Sequence, residues 1–203
     1  MKSSFLTVAL ILLTETILAN GNRVGNGGDI IQCQGKSPQV LDFYETSRMI
    51  PESDEEPLQI LKKVYQKLKE RHPKLGEQYL KRADSILSEV EWSKAALKEI
   101  DDSEELFRIP KDCQLSQVAM RKIKKLPLSM NFMIDKSLWE NLSSTQKAGL
   151  LSHEIIYEHF SKLGESNSRK AREFNAFLFS EDFKNSTPKQ IRKVLEKFEI
   201  SVD

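Results

Sequence analysis

The sequence predicts an α+β fold that is predominantly α-helical: a helical bundle with a small antiparallel sheet and one disulfide. Three observations predict it. Apolar residues recur at helical spacing through most of 54–100 and 135–198. Short apolar pieces bounded by Gly, Pro and Asp cluster at 29–44 and 106–135, the pattern of short strands. Two cysteines, Cys33 and Cys113, both follow a leader-like N-terminus. The length of 203 residues suggests a single α-rich domain over 29–203. With 31 basic and 30 acidic residues the net charge is +1, which lacks the basic field of a nucleic-acid binder. Eight Gly and seven Pro are too few for a collagen-like or low-complexity chain.

Residues 1–19 have the parts of a secretory signal peptide. Met1-Lys2 is the positive start, Phe5 to Leu13 is apolar except for Thr7, and Ala19 is a small exit residue. The run is too short to span a bilayer, and no later segment reaches 18 apolar residues. The expectation is cleavage after Ala19 and export to the periplasm or the extracellular space. There Cys33 and Cys113 form one intrachain bridge. It closes a loop of about 81 residues, worth roughly 4–5 kcal/mol in the chain-entropy account.

Residues 20–28 (NGNRVGNGG) read as a flexible lead, since Gly and Asn visit positive φ. No Lys-Ser/Thr follows, so a phosphate-cradling loop is not indicated. Asp29 to Cys33 reads as a strand, 35–38 as a turn, and Val40 to Tyr44 as a second strand or a helix entry. Ser53-x-x-Glu56 has the form of a capping box opening a helix over 54–71. Its stripe is Leu58, Leu61, Val64/Tyr65 and Leu68. The opposite face carries Lys62, Lys63, Lys67, Lys69 and Arg71. Such a face can rest on an anionic membrane, although a solvated side of a core-packed helix is the ordinary reading.

His72-Pro73 ends that helix. A second helix is expected over 74–100, on the stripe Leu75, Tyr79, Ala83, Ile86, Val90 and Leu97. The acidic break at 101–105 lacks EF-hand spacing. Residues 106–110, 117–120 and 130–134 read as strands, with a helix over 115–123 as the alternative. Asp135 caps a short helix. Ser143-x-x-Gln146, with Leu142 as staple, opens a helix to Leu163 that stops at Gly164. Asn167 or Ser168 caps the next helix, and Thr187-Pro188 opens the last.

One motif could carry chemistry. Ser152-His153-Glu154-Ile155-Ile156-Tyr157-Glu158-His159 resembles the zinc helix H-E-x-x-H, in which two histidines four apart bind one metal and the Glu activates water. Here the fourth position on is Tyr157, not a usual zinc ligand. At about 100° per residue, Ser152, Ile155, Ile156, His159, Phe160 and Leu163 share the inward face. Glu154 and Glu158 then point to solvent, with His153 and Tyr157 at the core's edge. His159 lies about 120° round from His153, too far to share an ion with it. Two readings follow. One is a metal site with His153 as ligand and Glu154 as catalytic base, zinc being the possible cofactor. The other is a histidine and a tyrosine hydrogen-bonded at the rim of the core. Ser152 lacks a G-x-S-x-G elbow. Arg172, a fixed fork of donors, suits an acidic ligand or an internal carboxylate, Glu158 or Glu165.

The order GNGGD-I-I-Q-C, LDFYE, I-P-x-D-C-Q-L-S-Q-V-A, L-W-x-x-L, Q-K-A-G-L-L-S-H-E-I-I-Y and a later S-R-K-A-R resembles an uncharacterised family of small exported bacterial proteins with a GNGG…C N-terminus and an HExxY helix. The resemblance implies export from a bacterial cell and no particular activity. It draws attention to His153, Glu154, Tyr157, Ser168 and Arg172, which match its H-E-x-x-Y and S-x-x-x-R elements. The functional expectation is an exported, non-enzymatic binding or interaction protein. Its partner would be a protein or a small molecule, with no cofactor. The alternative is a metal-dependent hydrolase with an altered zinc helix.

Overall fold

A computed structural model describes residues 24–25, 28–98, 109–123 and 130–201. The leader expected at 1–19, the acidic break 101–105 and residues 106–108 of the first expected middle strand lie outside the described residues. The fold is α+β and predominantly helical, with a small antiparallel sheet and the Cys33–Cys113 disulfide. A second, mixed sheet joins them.

The N-terminal lead is not wholly loose. Val24–Gly25 (β1) pairs with Ala119–Ile123 (β6), placing Gly25 opposite Arg121. Asp29–Cys33 (β2) lies between Gln39–Val40 (β3) and Cys113–Gln117 (β5), all antiparallel. Cys33 and Cys113 are directly opposed in this register, so the bridge joins two facing residues of one ladder. The piece expected as one strand at 117–120 is two, β5 and β6, broken at Val118. At the break Val118 N–H and Ala119 N–H both donate to the Gly28 carbonyl, each at 3.0 Å, and the chain passes from one sheet to the other.

Leu41–Tyr44 forms a one-turn helix (α1), so the alternative of a full second strand at 40–44 gives way to the helix entry. Pro57–Arg71 (α2) and Pro73–Ile86 (α3) form an antiparallel hairpin through His72. The expected capping box at Ser53 is absent. Pro57 occupies the first helical turn and Glu56 the cap position, while the Ser53 N–H is taken by Thr145 Oγ1 at 2.9 Å.

The helix expected over 74–100 ends at Ile86. A 3-10 turn follows, then Val90–Ser93 (β4), which pairs in parallel with Met130–Asp135 (β7). Here β-favouring Val90 and Trp92 find a ladder partner about forty positions away, and Trp92 meets the Trp139 ring edge-on at 5.6 Å. The four-stranded sheet runs β1-β6-β7-β4.

Lys136–Glu140 (α4), Ser144–Lys162 (α5), Arg169–Phe179 (α6), Glu181–Asn185 (α7) and Pro188–Lys197 (α8) complete the chain. Among them α7 was not expected. α5 is the central element. It is buried from Thr145 to Tyr157 with Lys147 as the single break, because α2, α3, α6 and the sheet corner surround it. Its ends follow the sequence. Ser143 accepts from Gln146 N–H, and Gly164 takes a positive φ of 99° while Glu165 N–H returns to the Phe160 carbonyl at 3.0 Å. The reciprocal half of the box is missing, since Gln146 Oε1 accepts from Val40 N–H instead. Leu163, expected inward, is 52% exposed at the helix end.

Candidate functional site

α5 carries two polar clusters on adjacent flanks. On the first, His153 Nδ1 lies 3.1 and 2.9 Å from the two oxygens of Asp42, on α1. Both side chains are almost fully buried. Asn175 on α6 donates to Asp42 Oδ2 at 2.7 Å and to the Gly149 carbonyl at 2.9 Å, so its amide orientation is forced by two acceptors. Arg172, one turn earlier, donates to Glu45 at 2.9 Å and to Ser168 Oγ at 2.5 Å. Its partner is therefore Glu45, not Glu158 or Glu165 as expected. Ser168 stands at the cap position of α6 but makes no capping bond with its side chain, and Asn167 Oδ1 accepts the Arg169 N–H instead.

Electrostatics favour an ion pair here. Burial pushes the Asp42 carboxyl up, but the His153 charge and the hydrogen bonds from His153 and Asn175 hold it below its ordinary value. Burial likewise pushes His153 down, and the Asp42 charge with its hydrogen bond outweighs it, holding the imidazole above its ordinary value. His153 Nε2 is buried with no partner among the described residues.

On the second flank, Glu154 is not at the solvent face. It is 1% exposed. Its Oε1 accepts from Gly28 N–H at 2.8 Å and its Oε2 from Arg121 Nε at 3.0 Å. The spacing of about 100° per residue places Glu154 on a solvent face only if that face is bare, and here the corner between the sheets covers it. The Arg121 guanidinium lies between the Phe132 and Tyr157 rings, 5.2 and 5.1 Å from their centroids. Gly28 permits this close approach: a Cβ there would sit 2.1 Å from Leu150 Cδ1. Tyr157 thus supports Arg121, and its ring centroid lies 6.1 Å from that of His153.

The five residues singled out by the sequence fall into these two clusters: His153, Ser168 and Arg172 around Asp42 and Glu45, Glu154 and Tyr157 around Arg121. His159, as the spacing implied, stands apart. Its Nδ1 meets Tyr79 Oη at 2.8 Å, and burial with the nearby Lys162 lowers its pKa. Glu158 pairs with Lys162 as expected, and also with Arg82. Asp42, Glu45, Arg121 and Asn175 were missed by sequence reasoning. The available signal was a lone acid in the run Leu41–Tyr44 and a lone amide in Phe174–Phe179.

Chemically, a carboxylate on Nδ1 fixes the imidazole and leaves Nε2 as the nitrogen that could hold a metal or move a proton. Among the described residues no three His, Cys, Asp or Glu side chains converge as a metal-holding group. Beside the first cluster lies a groove of about 260 Å³, lined by Glu45, Arg48, Arg172, Phe177, Lys197 and Phe198. Asp42 and Arg172 belong to both the cluster and the groove wall. Comparison with protein-family models, with curated proteins and with solved structures finds no match to this chain.

Proposed function

We propose that this chain is an exported, non-enzymatic binding protein, with the two α5 clusters as its interior frame and the adjoining groove as its ligand-facing surface. One observation carries the reading. Both oxygens of Glu154 are taken by Gly28 N–H and Arg121 inside the core, so the residue that would activate water is already occupied. Export is supported by the leader-like residues 1–19 and by the disulfide, which persists in oxidising compartments. The apolar side of α2 is buried in the core through Ile60, Leu61, Tyr65 and Leu68, which weighs against this helix lying on a membrane. Among the described residues no helix is long and apolar enough to cross one.

A second reading, a metal-dependent hydrolase, is favoured by one feature: the orphaned Nε2 of a histidine oriented by Asp42, the usual support of a metal ligand. Elemental analysis separates the two. The protein, purified without chelator or affinity tag, is equilibrated with zinc and desalted. The binding-protein reading expects substoichiometric zinc that is the same in His153→Ala. One zinc per chain, lost in His153→Ala, overturns it.

A further inference from the structure

Away from the α5 clusters, the corner between α2 and α3 faces the start of α8 across a groove of about 650 Å³. Every ionisable side chain in its lining is basic: Arg71, His72, Lys74, Lys189 and Arg192. Among the described residues none of the five makes an ion pair with a carboxylate, whereas Lys62, Lys63 and Lys69 on the same hairpin each do. The floor is apolar, formed by Ile191 and Leu195.

Two donors in the wall lack acceptors. Arg71 is pinned by Nη2 on the Lys184 carbonyl at 3.0 Å and by the Phe183 ring at 5.0 Å, yet its buried Nη1 has no partner among the described residues. His72 Nδ1 accepts the Leu75 N–H at 3.3 Å as the cap of α3, so the ring proton sits on Nε2. That Nε2–H is also buried without an acceptor. Leaving a buried donor unsatisfied is costly, and two adjacent ones in a groove that also holds four cationic side chains and no carboxylate call for an acceptor with negative charge. Pro73 and Pro188, the first residues of α3 and α8, both line the groove, so the positive ends of two helix dipoles add to the same field.

We propose that this groove binds a phosphate-type anion, held by Arg71 and His72 with Lys74, Lys189 and Arg192 around it, its apolar portion resting on Ile191 and Leu195. The inference is independent of the binding-protein reading, since it uses no residue of the α5 clusters or their groove. Two sources supply such an anion, a soluble phosphate compound or a phospholipid headgroup.

The test titrates the full chain, disulfide intact, with inorganic phosphate by calorimetry at low salt. In parallel it is sedimented with vesicles of phosphatidylglycerol or of phosphatidylcholine. His72→Asn keeps an N-cap acceptor but deletes the Nε2 donor. Lys189→Gln with Arg192→Gln removes two exposed charges, and Lys62→Gln with Lys63→Gln is the charge-matched control. Expected is saturable phosphate binding, weakened about tenfold or more in the first two variants and unchanged in the control. Phosphatidylglycerol binding competed by free phosphate assigns the lipid source; its absence beside phosphate binding assigns the soluble one. No saturable binding of either probe, or equal weakening in the control, overturns the proposal.

Discussion

Glu154→Gln separates a frame from a reaction centre. The side chain keeps its shape and can still accept from Gly28 N–H, but its amide then faces Arg121 Nε, and two donors oppose each other at 3.0 Å. The pair is 2% and 1% exposed, so water cannot take over the lost interaction. Breaking a buried ion pair by removing one partner costs about 3–5 kcal/mol. In a domain of this size that is roughly 6–20 °C in Tm. The assay is urea unfolding followed by circular dichroism, with the disulfide oxidised in both proteins. Replacing both partners, Arg121→Met with Glu154→Leu, should recover only part of the loss, because the desolvation of two charges disappears with them while the buried Gly28 N–H loses its acceptor. A Glu154→Gln protein within about 1 kcal/mol of wild type would refute the argument, since that is the scale of an exposed pair.

Gly28→Ala forces a methyl group to 2.1 Å from Leu150 Cδ1 and should cost about 1–3 kcal/mol by overpacking; unchanged urea stability would mean that the lead does not pack on α5. Asp42 is held below its ordinary 3.8 and His153 above its ordinary 6.5, so their stabilisation is complete between those values. It is lost as pH falls through the lowered Asp42 value or rises from 6.5 through the raised His153 value. The stability gap between wild type and His153→Gln should therefore be largest at pH 4–6.5 and narrow above it; a gap constant from pH 5 to 9 would contradict the ion pair. Cys33→Ala with Cys113→Ala should lose about 4–5 kcal/mol for a sequence separation of 80, measured by denaturant midpoint.

Local chemistry made much of the fold legible. Ser143 and Gly164 mark the ends of α5 because a cap and a positive-φ residue act on their own neighbours. Cys33 and Cys113 could be paired because the sequence holds only two cysteines. What depended on distant partners was not legible. Val90–Ser93 became a strand only because β7 accepts it in parallel. The spacing of about 100° per residue sends Glu154 to solvent when one helix face is wet, and that face is covered by a sheet corner built from Gly28 and β6. Asp42 lies 111 positions from His153, so nothing near the H-E-x-x-Y helix announced its partner. Tyr157 and Arg172 stand out in the sequence as binding candidates, but their contacts, Arg121 and Glu45, come from other elements.

The claim that the H-E-x-x-Y helix is a frame is tested most directly by a double-mutant cycle on Asp42 and His153, using Asp42→Asn, His153→Gln and both, by urea unfolding near pH 6. An interior ion pair predicts a coupling energy of about 1.5–3 kcal/mol that is the same with and without chelator. Coupling that vanishes when a chelator is added, or single effects that add within about 0.5 kcal/mol, would contradict it.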